Sequence, residues 1–185
     1  MKFVIAISGA SGAIYATRLI SHLQKTPHTL ELTCSPNALK IAHEEQHVDY
    51  RKLELPFFHS KDFSAPFASG SSVTVHYDAM VIIPCSMGTL GRIAHGYSDD
   101  LLTRAADVFL KEKKKLIIVP RETPFNLVHI ENMRLLALAG ATIIPAIPSF
   151  YSQPQTIEDA IDTVLARVLD HLGVENKLRE RYGDR

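Results

Sequence analysis

The sequence predicts a three-layer, doubly wound α/β domain, and three observations carry that expectation. Five short apolar runs, most of them β-branched, recur along the chain; helical patterns separate them; and small-residue turns directly follow two of the runs. With 185 residues, 46% of them hydrophobic and 22% charged, the chain can cover one core well and is short for two, so residues 1–185 read as one domain.

The elements follow in order. "KFVIAI" (2–7) is continuously apolar, as suits a strand buried on both faces of a parallel sheet. "GAIYATRLISHLQK" is the first helix, and "LELTCS" (30–35) the second strand. Residues 44–78, with "PFFHSKDFSAPFASGSS", read as a long irregular loop, a kind of segment that more often serves function than packing. "AMVIIP" (79–84) is a third strand, and the turn after it gives way to a helix. In "SDDLLTRAADVFLKEK", Ser98 is the expected cap, Asp99 and Asp100 fall in the first turn, and lysines close the helix. "KLIIVP" (115–120) is the fourth strand, "NLVHIENMRLLALAG" a helix ending at Gly140, and "ATIIPAIP" (141–148) the fifth strand. "TIEDAIDTVLARVLDHLG" opens with a Thr156/Asp159 box and ends at Gly173. Such alternation gives a mainly parallel sheet of the Rossmann-like, flavodoxin-like kind.

Composition narrows the function. Twenty basic residues balance twenty acidic ones, so no overall field draws the chain to nucleic acid or an anionic membrane. Two cysteines make no disulfide framework, and the nine histidines show no metal-ligand spacing, so no metal is expected. "FVIAI" is too short for a signal peptide and no run approaches bilayer length, so the expected location is cytoplasmic.

"SGASGA" (8–13) places Gly9, Ser11 and Gly12 between a strand and a helix, where backbone N–H groups can seat a phosphate. Both G-x-G-x-x-G and G-x-x-x-x-G-K-[ST] are absent, which favours a mononucleotide or flavin over NAD or ATP. By spacing alone, a tight turn with no ligand fits equally. "PCSMGTLGRIAHG" (84–96) offers Ser86, Gly88 and Thr89 at a second strand-to-helix turn, and ligands of open α/β sheets sit at that edge. Cys85 has no adjacent base and reads as a small buried thiol. Arg104, Asp107 and Lys111 fall at i, i+3 and i+7 on one helix face, whereas Lys113, Lys114 and Lys115 read as a solvated basic end. "VPRETPFN" brings Arg121, a planar fork for phosphate, and Glu122, a carboxyl suited to proton transfer, to the carboxyl edge. On spacing alone, a plain Arg121–Glu122 ion pair accounts for them at least as well.

Taken together, "ISGASGAIYATRLI", "PCSMGTL", "SDDLLTRAADVFLKEKKKLIIVPRETPFNLVHIENM" and "PSFYSQPQTIEDAIDTVLARVLDHLG" resemble the UbiX-type flavin prenyltransferases, from about residue 3 to about 174. The related cysteine decarboxylases typically carry "PASANT" where this chain has "PCSMGT". The resemblance implies an enzyme that joins the dimethylallyl group of dimethylallyl monophosphate to N5 and C6 of reduced FMN, without a metal. The prenylated FMN would serve a UbiD-type decarboxylase. It further implies FMN contacts at Gly9, Ala10, Ser11, Ser35, Ser86, Met87, Gly88, Thr89 and Arg121, and prenyl-phosphate contacts at Arg104, Lys111, Glu122, Tyr151 and Arg167. Ser11, Glu122, Lys111 and Arg104 would carry the chemistry. Fixed cations suit the departing phosphate and a π-face suits the allylic carbon; an aspartate-rich DDxxD motif is absent, "DDLLT" ending in Thr103. Relatives commonly place tryptophan near Phe63 and Tyr182, and this chain has none. In relatives the segment around Tyr151 reaches a neighbouring subunit's flavin in a dodecamer, which implies a homo-oligomer with shared sites. The alternatives are an FMN-dependent decarboxylase of the cysteine decarboxylase type and a non-catalytic flavin-binding module.

Overall fold

A computed structural model describes residues 1–179 and Gly183; Tyr182 lies outside the described residues. Six strands form one all-parallel sheet in the order β3-β2-β1-β4-β5-β6. They are β1 (Lys2–Ile7), β2 (Thr29–Cys34), β3 (Phe57–Phe58), β4 (Ala79–Cys85), β5 (Lys115–Pro120) and β6 (Thr142–Ile143). Among the described residues, seven helices pack on the two faces: α1 (Ala13–Leu23), α2 (Pro36–Gln46), α3 (Gly70–His76), α4 (Met87–Ala94), α5 (Leu101–Lys111), α6 (Leu127–Leu138) and α7 (Ile157–Leu172).

Continuous apolar strands explain the two cores. Alternate residues of β1 point to opposite faces, so Phe3, Ile5 and Ile7 pack with α1, α2 and α7, while Val4 and Ala6 pack with the α3, α4 and α5 side. Arg18 of α1 makes a two-pronged bond to Asp162 of α7, at 2.8 and 2.6 Å. Among the described residues, no helix is long and apolar enough to cross a membrane.

Three expectations change. The supposed loop 44–78 holds the end of α2, turns of 3₁₀ helix at Tyr50–Lys52 and Pro66–Ala68, the edge strand β3 and the helix α3. These pieces are too short to leave a periodic signal. Asp100, not Ser98, caps α5: its carboxylate accepts from the Thr103 N–H at 2.8 Å. Asp99 and Asp100 together hold the Arg92 guanidinium at 2.6 and 2.7 Å, a tertiary demand that local capping rules do not see. Finally, only Thr142 and Ile143 of 141–148 form a strand; Pro145 has no N–H to donate, so just Ile144 and Ala146 continue bonding to β5, at 2.9 and 3.0 Å.

Candidate functional site

Sheet order reverses at β1, whose neighbours β2 and β4 lie on opposite sides, and crevices of this fold open at such a switch point. The helices α1, α2 and α4 each begin there, immediately after their strands. Buried Ser8 joins the tips of β1 and β4: its hydroxyl donates to the Pro84 carbonyl at 3.2 Å and accepts from the Ser86 N–H at 2.7 Å. The turn at 8–12 and the turn at 86–89 are thus fastened to each other.

Ser86 caps α4, its Oγ accepting from the Thr89 N–H at 3.3 Å and donating to the Thr89 hydroxyl at 3.1 Å. Ser35 caps α2 in the same way, accepting from the Ala38 N–H at 3.2 Å, with Pro36 at the first helical position. At both ends the first N–H groups have no intrahelical partner, which suits phosphate or carbonyl oxygens. Those of Met87 and Gly88 are in this class, and a Cβ built on exposed Gly88 meets nothing within 4 Å, so the approach to α4 is open. This donor set fits a flavin mononucleotide.

The opening glycine turn differs from expectation. At the start of α1, the N–H groups of Gly12 and Ala13 already donate to one carboxylate oxygen of Glu45, at 2.9 and 2.8 Å. That carboxylate fills the expected phosphate seat from α2. Burial alone would raise its pKa; bonds from the Ser11 hydroxyl and these two N–H groups, with the Arg121 charge, outweigh burial and hold it below the usual carboxylate range. Gly12 instead serves the turn, at φ 103°, a conformation that favours glycine. Gly9 serves a close approach: a Cβ there lies 2.7 Å from the Cβ of Asn37. Neither Cβ can swing aside, so Gly9→Val should push the α2 terminus and its Ser35 cap away. FMN affinity is then expected to fall about tenfold or more, with circular dichroism unchanged; titration of flavin absorbance checks it.

Arg121 closes the near side, its N–H donating to the Cys85 carbonyl at 3.1 Å and its Cγ lying 4.0 Å from a Cβ built on Gly12. Burial raises the Tyr15 phenol, while the Arg121 charge opposes that rise. Glu122 is exposed and, among the described residues, accepts only from the Thr123 N–H, at 3.1 Å. It does not pair with Arg121. Cys85 is fully buried, and burial pushes its thiol up to about 12, as an inert core cysteine requires.

The remaining residues sit on other elements. Arg104, in the first turns of α5, donates to the Ala68 carbonyl at 3.2 Å and pairs with Asp107 at 3.4 Å. Lys111 pairs with Glu112 at the far end of α5, which leads back to Lys115 at the start of β5. β5 spans roughly 20 Å, so Lys111 stands at the opposite sheet edge from Glu122. Tyr151 and Arg167 form a third group, lining an open pocket of about 620 Å³ between the segment after β6 and α7. Glu45 escaped sequence reasoning altogether. "SP" at 35–36 marks a helix start that could have revealed α2, but the reach of its last turn to α1 is a tertiary fact.

Comparison with known proteins agrees with this fold. Residues 1–170 match the family described as Flavoprotein. The flavin prenyltransferase UbiX of Methanocaldococcus jannaschii is 47% identical, over 99% of both chains. A crystal structure of AnUbiX (PadA1) in complex with FMN and dimethylallyl pyrophosphate superposes with TM-score 0.94 at 35% identity, covering 100% of this chain and 98% of the other. A dodecameric FMN-dependent UbiX-like decarboxylase from Escherichia coli O157:H7 superposes with TM-score 0.93 at 38% identity, over 98% of both. With relatives this similar over their whole length, the chain belongs to the flavin prenyltransferases of the flavoprotein family.

Proposed function

We propose that this protein binds reduced FMN in the crevice beyond β1 and β4 and transfers to it a dimethylallyl group from dimethylallyl monophosphate. The observation that carries this reading is the Ser8 link, which sets the glycine turn at 8–12 beside the open N-terminus of α4 at the switch point. Reduced FMN supplies the nucleophilic N5 and C6. Gly9, Ala10, Ser11, Ser35, Ser86, Met87, Gly88, Thr89 and Arg121 hold it. Arg104, Lys111 and Arg167 neutralise charge growing on the departing phosphate, and Tyr151 donates to it. Glu122 moves a proton at that phosphate, and Ser11, bonded to the Glu45 carboxylate, steadies a proton near N5.

This reading requires an assembly. Lys111 stands at the opposite sheet edge from Glu122, so another copy must bring it to the crevice, and the family resemblance assigns Tyr151 and Arg167 to a neighbouring subunit in the same way. Exposed apolar residues support that: α6 carries Leu127 and Leu138 at 72% and 73% exposure, and Phe150 beside Tyr151 stands at 69%. The dodecamer described for the E. coli protein is the assembly expected here, in the cytoplasm, with residues 1–185 acting as one domain. A UbiD-type decarboxylase is the expected recipient of the product.

Mass spectrometry of FMN after incubation with reductant and dimethylallyl monophosphate tests the reaction. One added dimethylallyl unit is the expected outcome. Unmodified FMN, with carbon dioxide released from an added aromatic or cysteine-like acid, would instead place the chain with the decarboxylases.

A further inference from the structure

We propose that Arg92 is a positioning residue for the flavin: it holds the Thr89 hydroxyl as a group that donates and cannot accept, and it ties that donor to the capped start of α5. This rests on the FMN-binding part of the reading above and adds to it a residue that acts through Thr89.

Ser86, Thr89 and Arg92 fall at i, i+3 and i+6 from the cap of α4, so they share one face of its first turns. The Thr89 N–H is already taken by the Ser86 hydroxyl at 3.3 Å, which leaves the Thr89 hydroxyl as the group it can offer a ligand. That oxygen accepts twice, from the Ser86 hydroxyl at 3.1 Å and from Arg92 Nη2 at 3.4 Å. A hydroxyl has two acceptor positions and one proton, so with both positions filled only the proton is left to bond. Among the described residues none accepts it, and Thr89 is buried at 4% exposure, where an unpaired donor is costly. An acceptor on FMN, either a phosphate oxygen or a ring carbonyl, completes the set.

The planar fork of Arg92 lets it reach two ways. Nη1 bonds Asp99 and Asp100 at 2.6 and 2.7 Å, while Nη2 turns back to Thr89. Asp100 caps α5, and its carbonyl accepts from the Arg104 N–H at 2.9 Å. The Arg92 carbonyl accepts from the Tyr97 N–H, also at 2.9 Å, so one residue braces the connection between α4 and α5 with both side chain and backbone. Its two carboxylates offset the guanidinium charge, so what Arg92 gives Thr89 is direction. A lysine ammonium is a single point, able to keep the carboxylates but not to span them and Thr89 together.

Titration of the assembled protein with FMN tests this without relying on turnover. Arg92→Lys keeps a cation for Asp99 and Asp100, so melting temperature and oligomer size should match the wild type. FMN affinity should nevertheless fall about three- to tenfold, the worth of one oriented hydrogen bond. Thr89→Val should lose at least as much. Adding Arg92→Lys to Thr89→Val should cost no more than about twofold further, because Arg92 acts through that hydroxyl. Added to Ser35→Ala, at the start of a different helix, it should cost its full factor. Riboflavin in place of FMN locates the acceptor: an equal loss puts it on the ring, a loss confined to FMN puts it on the phosphate, and either supports the proposal. Wild-type FMN affinity in Arg92→Lys, losses that multiply in the Thr89→Val background, or a loss that follows a lowered melting temperature overturns it. If the cycle behaves as expected but reductant and dimethylallyl monophosphate leave FMN unmodified, the Arg92 assignment stands and the prenyltransferase reading falls.

Discussion

Glu122→Gln is expected to bind FMN normally and to lose about 10²- to 10⁴-fold in turnover, the usual worth of a general acid–base group. Glutamine keeps the side chain's size and one acceptor oxygen, so the bond from the Thr123 N–H at 3.1 Å can survive. What disappears is the ability to carry a proton beside Arg121. Glu122 is exposed and pairs with no described residue, so its replacement leaves no buried charge stranded and the fold should not change. Flavin titration, light scattering and a single-turnover assay separate the two effects. Wild-type turnover in this variant would move the proton-transfer role to another residue.

Mixing two inactive chains should restore activity. A Tyr151→Phe, Arg167→Ala chain loses contacts to the departing phosphate, each worth about 1.5–3 kcal/mol when charge-assisted, so it should fall about 10²-fold or more. A Glu122→Gln chain falls comparably. In randomly mixed oligomers with sites shared between two chains, about a quarter of sites take Glu122 from one parent and Tyr151 with Arg167 from the other. Co-refolding or subunit exchange should therefore recover a sizeable fraction of wild-type activity. No recovery in oligomers proven to be mixed would show that each chain completes its own site.

Legibility in the sequence followed burial. β1, β4 and β5 lie inside the sheet with helices on both faces, so an unbroken apolar run marks each of them. β3 is a two-residue edge strand with half-buried phenylalanines, and α2 buries only Ala38 and Ala42, so neither imposes a pattern. The turns at 9–12 and 86–89 were legible as strand-to-helix turns because small residues follow buried strands there. The phosphate seat on α1 was misjudged because its occupant, Glu45, comes from a helix the pattern did not reveal. Arg104 and Lys111 were correctly read as one face of one helix, but α5 carries that face away from Glu122, a direction that spacing cannot convey.

The Ser8 hydroxyl, buried between the tips of β1 and β4, has a thermodynamic consequence. Because it ties both turns to adjacent central strands, the crevice width is set by the strand spacing and not by whatever enters it. Ligand capture then needs little loop ordering, so association sacrifices less conformational entropy than closure of two independent flaps would. The flavin enters a slot already cut to width.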